Sequence, residues 1–141
     1  MKLHTSAKAP NPRRVDMFLA EKGIHDIERH LVDLNAGQHR EAAFLARNPL
    51  ARVPVLELDD GRYLAESRAI CTYLEFLYPE PNLMGRDGEE RAFIEMADRQ
   101  VEFNLFAIEF VRLVRFKPAD AGLNQLAAWR DRISERPSAA A

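Results

Sequence analysis

With 141 residues, 47% hydrophobic and 30% charged, the chain has the composition of a soluble globular protein of one or two small domains. A net charge of −2 gives no electrostatic case for binding nucleic acid or an anionic membrane, and no apolar run is long enough to span a bilayer. The single cysteine, Cys71, excludes an internal disulfide and a paired-cysteine redox motif. It fits a reducing, cytoplasmic setting, and Met1 to His4 runs into a polar loop with no signal-peptide pattern.

Lys2 to Thr5 reads as a first strand, and Ser6 to Pro12 as a loop rich in turn formers. Pro12 suits the first turn of a helix and Asn11 suits its cap. Val15, Phe18 and Leu19 give that helix an apolar face, and Gly23 ends it. A second strand falls at about Glu28 to Val32, broken by Asn35, Ala36 and Gly37. His39 to Arg47 reads as a short, poorly patterned helix leading to Asn48 and Pro49.

The most informative stretch runs from Asn48 to Leu77. Val53 to Leu58 is a β-run in which Pro54 lacks an N–H and presses Val53 towards an extended conformation. Asp59, Asp60 and Gly61 form a hairpin turn, and Tyr63 to Ala65 starts the return strand. Ser67 is a strong N-cap residue for a helix with Ile70, Leu74 and Leu77 on its apolar side. The helix start offers free N–H groups and a positive dipole end to an anion. Glu66 offers a carboxylate to a cation. A cation receiver beside an anion receiver suits one end of an amino acid.

This stretch, NP…RVPVLELDDG…L.ES.AI..YL, resembles the glutathione-binding half of the glutathione S-transferase family, and the resemblance covers residues 1–78. It implies an α/β thioredoxin-like domain of order β-α-β-α-β-β-α, then a linker at 79–88 and an all-helical domain at 89–141, here shortened. It implies a cis Val53–Pro54 bond, pairing of the Val53 backbone with the cysteinyl part of glutathione, and capture of the γ-glutamyl head by Glu66 and Ser67. Arg52, Gln38 and His39 become candidates for the glycine carboxylate.

A transferase of this kind must make a thiolate. A thiol of pKa near 8.5 is only about 3% ionised at pH 7, and lowering that pKa by about two units takes roughly 2.7 kcal/mol. Hydrogen bonds to sulfur and a helix N-terminus supply that order of energy. Family members with a catalytic serine align it with Ala9, which has no donor. Asn11 and Ser6 are then the candidate catalytic donors, with Thr5 and backbone N–H groups as further options. A cap role for Asn11 and a turn role for Ser6 stay open. Arg13 and Arg14 read first as a solvated helix face, with a contribution to local positive potential as the alternative.

Glu89 to about Phe116 is helical, with Ile94, Ala97, Val101, Leu105, Ile108, Val111 and Val114 on one stripe. Phe93, Met96, Phe103, Phe106, Phe110 and Leu113 form a second apolar set. Phe103, Phe106 and Phe110 are candidates for an apolar acceptor pocket. Pro118 ends that helix, and Leu123 to Ile133 reads as the last one. The family's intervening helices have no counterpart, the jump falling near 116–122. The remnant packs on the first domain, is completed by another subunit in a homodimer, or belongs to a longer protein.

The function implied is conjugation of glutathione, as co-substrate, to a hydrophobic electrophile. No tightly bound cofactor, metal, nucleic acid or membrane partner is expected. The alternatives are a non-catalytic glutathione-binding or regulatory protein, and a glutathione-dependent isomerase, dehalogenase or peroxidase. Cys71 reads as a core side chain, and the four histidines lack metal-ligand spacing.

Overall fold

The computed structural model describes residues 1–7 and 9–113, and its sheet is built outward from Lys2–Thr5 (β1). Glu28–Leu31 (β2) runs parallel to β1, and Val55–Glu57 (β3) runs antiparallel to it. Tyr63–Ala65 (β4) closes the order β2-β1-β3-β4. The β3–β4 turn forms where expected: Gly61 adopts φ 84°, its N–H reaches the Leu58 carbonyl at 3.0 Å, and Leu58 N–H reaches the Arg62 carbonyl at 2.9 Å. The helices are Pro10–Lys22 (α1), Ala42–Leu45 (α2), Ser67–Leu77 (α3) and Gly88–Leu113 (α4). Through α3 this is the thioredoxin-like α/β fold. The chain divides into two compact units, the first spanning Met1–Pro81 and the second beginning at Asn82.

Register assigns the faces of the sheet. Leu3 stands opposite Leu56 and Arg29, and Leu56 opposite Leu64, so these side chains share a face. Arg29 Nη1 lies 3.0 Å from Asp16 Oδ1 of α1, an ion pair off hydrogen-bond angle, which puts α1 over that face. Val15 and Leu19 of α1 and Ile70 and Leu74 of α3 complete this layer, all nearly inaccessible to water. Burying a side chain of this size contributes about 1.5–3 kcal/mol. On the opposite face Val55 packs with Val32, Phe44 and Val53, with Leu34 and Ala9 against them. Cys71 is buried and in no disulfide, in keeping with its core reading.

Three local expectations shift. The helix expected from His39 to Arg47 is split into a 3-10 turn, Gln38–Arg40, and the short α2. Glu41 separates them in an extended conformation. The first helix begins at Pro10, so Ala9 occupies the cap position and Asn11 lies inside the first turn. A proline at helix start needs no N–H there, which lets the helix begin two residues earlier than a cap at Asn11 allows. The third strand is shorter than the run Val53 to Leu58. The expected helix at 123–133, the Pro118 stop and the 116–122 jump lie outside the described residues, as do the Phe106 and Phe110 side chains.

His4 carries a pH response. In register with Val55 and His30, it is 2% exposed, its Nε2 lies 2.9 Å from Glu57 Oε2, and its ring meets His30 edge-on at 5.1 Å. Its Nδ1 is buried without a partner. Burial pushes His4 below the ordinary 6.5 despite the Glu57 hydrogen bond, with Arg47 and His30 adding to the depression. The unfolded chain therefore takes the proton first as pH falls. The stability linked to His4 is fully present above about pH 6.5 and declines as pH drops towards the folded value. Melting points between about pH 7.5 and about pH 5.5 should fall towards acid, with a shallower slope in His4→Asn. An unchanged slope in that variant overturns the assignment.

Candidate functional site

The corner around Val53 is defined by where β4 stops. Val55 faces Ala65 in the β3–β4 ladder, so two more residues of that ladder would set Val53 opposite Ser67. Instead the chain turns into α3 at Glu66 (φ 68°, ψ 115°). Among the described residues, the N–H and C=O of Val53 make no hydrogen bond, although the side chain is buried. The Val53–Pro54 bond is cis, as the resemblance implied. Asn48 supports the approach: its amide donates to the Arg52 carbonyl at 2.8 Å and its oxygen accepts from Leu50 N–H at 3.1 Å. An unpaired main-chain segment beside a truncated strand is the geometry that accepts an extended peptide.

The cap of α3 differs from expectation. Glu66 takes the cap position and Ser67 is the first helical residue, with no side-chain cap hydrogen bond. The turn from β4 into the helix demands a positive φ, and that falls on Glu66. For a non-glycine residue this costs on the order of 1–3 kcal/mol. Ser67 is 5% exposed. Its hydroxyl is not spent on capping; its oxygen accepts a hydrogen bond from Arg14 Nη1 at 3.1 Å. The α3 ladder starts with Ile70 N–H on the Glu66 carbonyl at 3.0 Å, so the N–H groups before it lie outside the helix's own bonding. Glu66 is exposed, and its carboxylate makes no hydrogen bond or ion pair among the described residues.

At the mouth of α1 the composition is unusual. The first intrahelical bond is Arg13 N–H to the Ala9 carbonyl at 3.2 Å. Of the three helical positions before Arg13, Pro10 and Pro12 have no N–H. Asn11 therefore holds the main-chain donor at this mouth, and its half-buried side chain has no hydrogen bond among the described residues. Ala9 packs against the cluster containing Val53. The start of α1 thus reaches Val53 through Ala9 and Ser67 through Arg14.

The remaining candidates fall into three groups. Ser6 is half-buried, and its carbonyl accepts from Ala9 N–H at 3.3 Å, forming a turn. Thr5 is fully buried with its hydroxyl oxygen enclosed and unpartnered, so a ligand sulfur does not reach it. Arg52 is exposed with no ion pair among the described residues. Gln38 is exposed, and its side chain folds back on its own loop: its Oε1 accepts from Asp33 N–H at 2.7 Å and its N–H donates to the Asp33 carbonyl at 3.1 Å, closing the loop after β2. Its side-chain amide hydrogens remain as donors. His39 is half-buried with Nδ1 enclosed and unpartnered. No hydrogen bond ties Gln38 or His39 to the Val53–Ser67 corner among the described residues. Phe103 is exposed. Arg14 was read as a solvated face and is instead half-buried against Ser67. The signal available was its spacing of three from Asn11, which puts both on one face of α1.

Among the described residues, no group of three or more His, Cys, Asp or Glu side chains is arranged to hold a metal. No helix among them is long and apolar enough to cross a membrane.

Residues 9–76 match the family described as glutathione S-transferase, N-terminal domain. Maleylacetoacetate isomerase of Pseudomonas aeruginosa is 44% identical over 94 residues, which is 65% of this chain and 44% of that protein. Glutathione S-transferase 2 of Saccharomyces cerevisiae is 37% identical over 106 residues, 74% of this chain and 46% of that protein. The crystal structure of a glutathione S-transferase domain-containing protein from Marinobacter aquaeolei superposes with a TM-score of 0.69 at 45% identity, covering 72% of this chain and 50% of that one. The chain spans about half the length of the curated relatives it matches. Through its N-terminal domain, the chain belongs to the glutathione S-transferase family.

Proposed function

We propose that this protein binds glutathione at the Val53–Ser67 corner, stabilises its thiolate at the mouth of α1, and transfers it to a hydrophobic electrophile. The observation carrying this reading is the open main chain of Val53 next to the start of α3. The cysteinyl backbone pairs with Val53. The γ-glutamyl carboxylate meets the Ser67 hydroxyl and the first α3 N–H groups, and its ammonium meets Glu66. Arg52 and His39 receive the glycine carboxylate, with Gln38 contributing its amide hydrogens. Proximity on one surface and a lowered thiol pKa carry the rate. No tightly held cofactor enters the reaction. The setting we assign is cytoplasmic, in line with a single buried cysteine that forms no disulfide. The assembly we assign is a homodimer, in line with the exposed Phe76 on α3 and Phe93 on α4. Calorimetric titration with glutathione, then conjugation to a generic aryl halide, tests the reading; absence of binding removes it.

Asn11 is the sulfur donor in this scheme, with Ser6 as the second candidate. A hydrogen bond to a charged group is worth about 1.5–3 kcal/mol. Asn11→Ala should therefore raise the pKa of bound thiol by about one unit or more and lower kcat/KM at neutral pH by about tenfold, with recovery at alkaline pH. An unchanged pH–rate profile removes Asn11 from the chemistry and passes the role to Ser6, to be tested by Ser6→Ala.

A second reading is glutathione-dependent isomerisation, favoured by the similarity to the P. aeruginosa isomerase. The two differ in thiol balance: conjugation consumes one thiol per turnover, whereas isomerisation returns it. Thiol titration during turnover of a cis-configured dicarboxylic or diketo acid separates them. Ala9, lacking a donor, leaves a non-catalytic binding protein as the outcome in which glutathione binds and neither reaction proceeds.

A further inference from the structure

We propose that Arg14 is a positioning residue that makes the Ser67 subsite selective for an anion. The inference rests on the glutathione reading above and adds to it the residue that sets the polarity of one corner. A serine hydroxyl offers one hydrogen to donate and lone pairs to accept, so by itself it takes a carboxylate or an ammonium. Here Arg14 Nη1 donates to the Ser67 oxygen at 3.1 Å, across 53 residues of sequence. Both side chains lie away from bulk water, Ser67 at 5% exposure and Arg14 half-buried. Ser67 makes no other side-chain hydrogen bond among the described residues. With a cation on its oxygen, the hydroxyl presents its hydrogen outward, and the donor already in place polarises it further.

The first α3 N–H groups are donors too, so the subsite then carries donors and positive charge together. An ammonium group is repelled and directed to Glu66, one residue away. Arg14 thereby fixes which end of an amino-acid head lies on Ser67 and which on Glu66. It touches the ligand through Ser67, and lysine reproduces its charge without its planar fork.

The test is calorimetric titration of the whole chain, as wild type, Arg14→Met, Arg14→Lys, Ser67→Ala and the Arg14→Met/Ser67→Ala double variant. Thermal melts of each confirm folding. The ligands are glutathione and cysteinylglycine, which lacks the γ-glutamyl head. Arg14→Met should weaken glutathione about 10- to 100-fold and leave cysteinylglycine unchanged. Arg14→Lys should recover part of the loss. The double variant should bind no worse than Ser67→Ala, because Arg14 acts through Ser67. Wild-type binding with undiminished affinity in Arg14→Met overturns the proposal. Equal weakening of both ligands overturns it as well, since that is the pattern of general destabilisation. Failure of the wild type itself to bind glutathione removes the underlying reading and is seen before any variant is compared.

Discussion

Replacing Lys22 by methionine should destabilise the first unit by about 3–5 kcal/mol, the usual cost of removing one partner from a buried ion pair. The Lys22 side chain has no exposure to water, and Glu75 across from it is only 12% exposed. Its ammonium donates to the Tyr78 carbonyl at 2.6 Å and to the Pro81 carbonyl at 2.7 Å, and meets Glu75 Oε2 at 2.6 Å as an ion pair off hydrogen-bond angle. The aromatic face of Phe18 lies 5.5 Å from the same nitrogen. The carbonyls belong to the end of α3 and the chain just beyond it, where a helix leaves acceptors unsatisfied and its dipole is negative. One cation at the end of α1 thus ties down the exit of α3. Methionine keeps most of the stem and loses all of these polar contacts. For a unit of this size the melting point should fall by roughly 15–30 °C. Lys22→Met combined with Glu75→Leu should lose less than Lys22→Met alone, since the charge facing the lost ammonium is removed with it. A loss below about 1 kcal/mol in Lys22→Met contradicts this account.

The second large effect falls on binding. Ser67→Ala should weaken glutathione by about 10- to 100-fold, the range for losing a hydrogen bond to a charged group. The fold should barely notice, within about 1 kcal/mol, because Ser67 makes no cap bond that the helix would miss. Glu66→Gln should weaken the same ligand by removing the receiver of its ammonium, with little change in melting point because Glu66 is exposed. Neither change should alter the binding of cysteinylglycine. The informative comparison is thus between two ligands on one variant, which separates loss of a contact from loss of the fold. Affinity for glutathione equal to wild type in both variants contradicts the site.

Much of the first unit is legible in the sequence because its signals are local. The strand runs at Lys2 to Thr5 and Val53 to Leu58, the turn at Gly61 and the stop at Gly23 each need only a few neighbouring residues to be read. The Val-Pro and Glu-Ser pairs are legible as a pattern. What escapes reading is anything that depends on a partner far along the chain. Arg14 looks like any surface cation until Ser67 is brought to it. Lys22 looks like a basic residue placed for the dipole at the end of a helix, and nothing near it in sequence announces Glu75. Gln38 illustrates the reverse. Its amide is the right chemistry for a carboxylate, yet its oxygen is committed to Asp33, five positions earlier in its own loop. Cap assignment failed at Ser67 for a different reason. Residue preference favours serine at a helix start, but the cap falls where the backbone has to bend, and that is Glu66.

Glu66 also places stability and use in opposition at a single position. Its φ of 68° is one that glycine adopts without penalty, so the most economical occupant for the fold is a residue with no side chain at all. A carboxylate held there keeps the chain slightly less robust than it needs to be, in exchange for a charge at the lip of the groove. Selection for heat resistance alone would drift this residue towards glycine, and ligand recognition would be forfeited along the way.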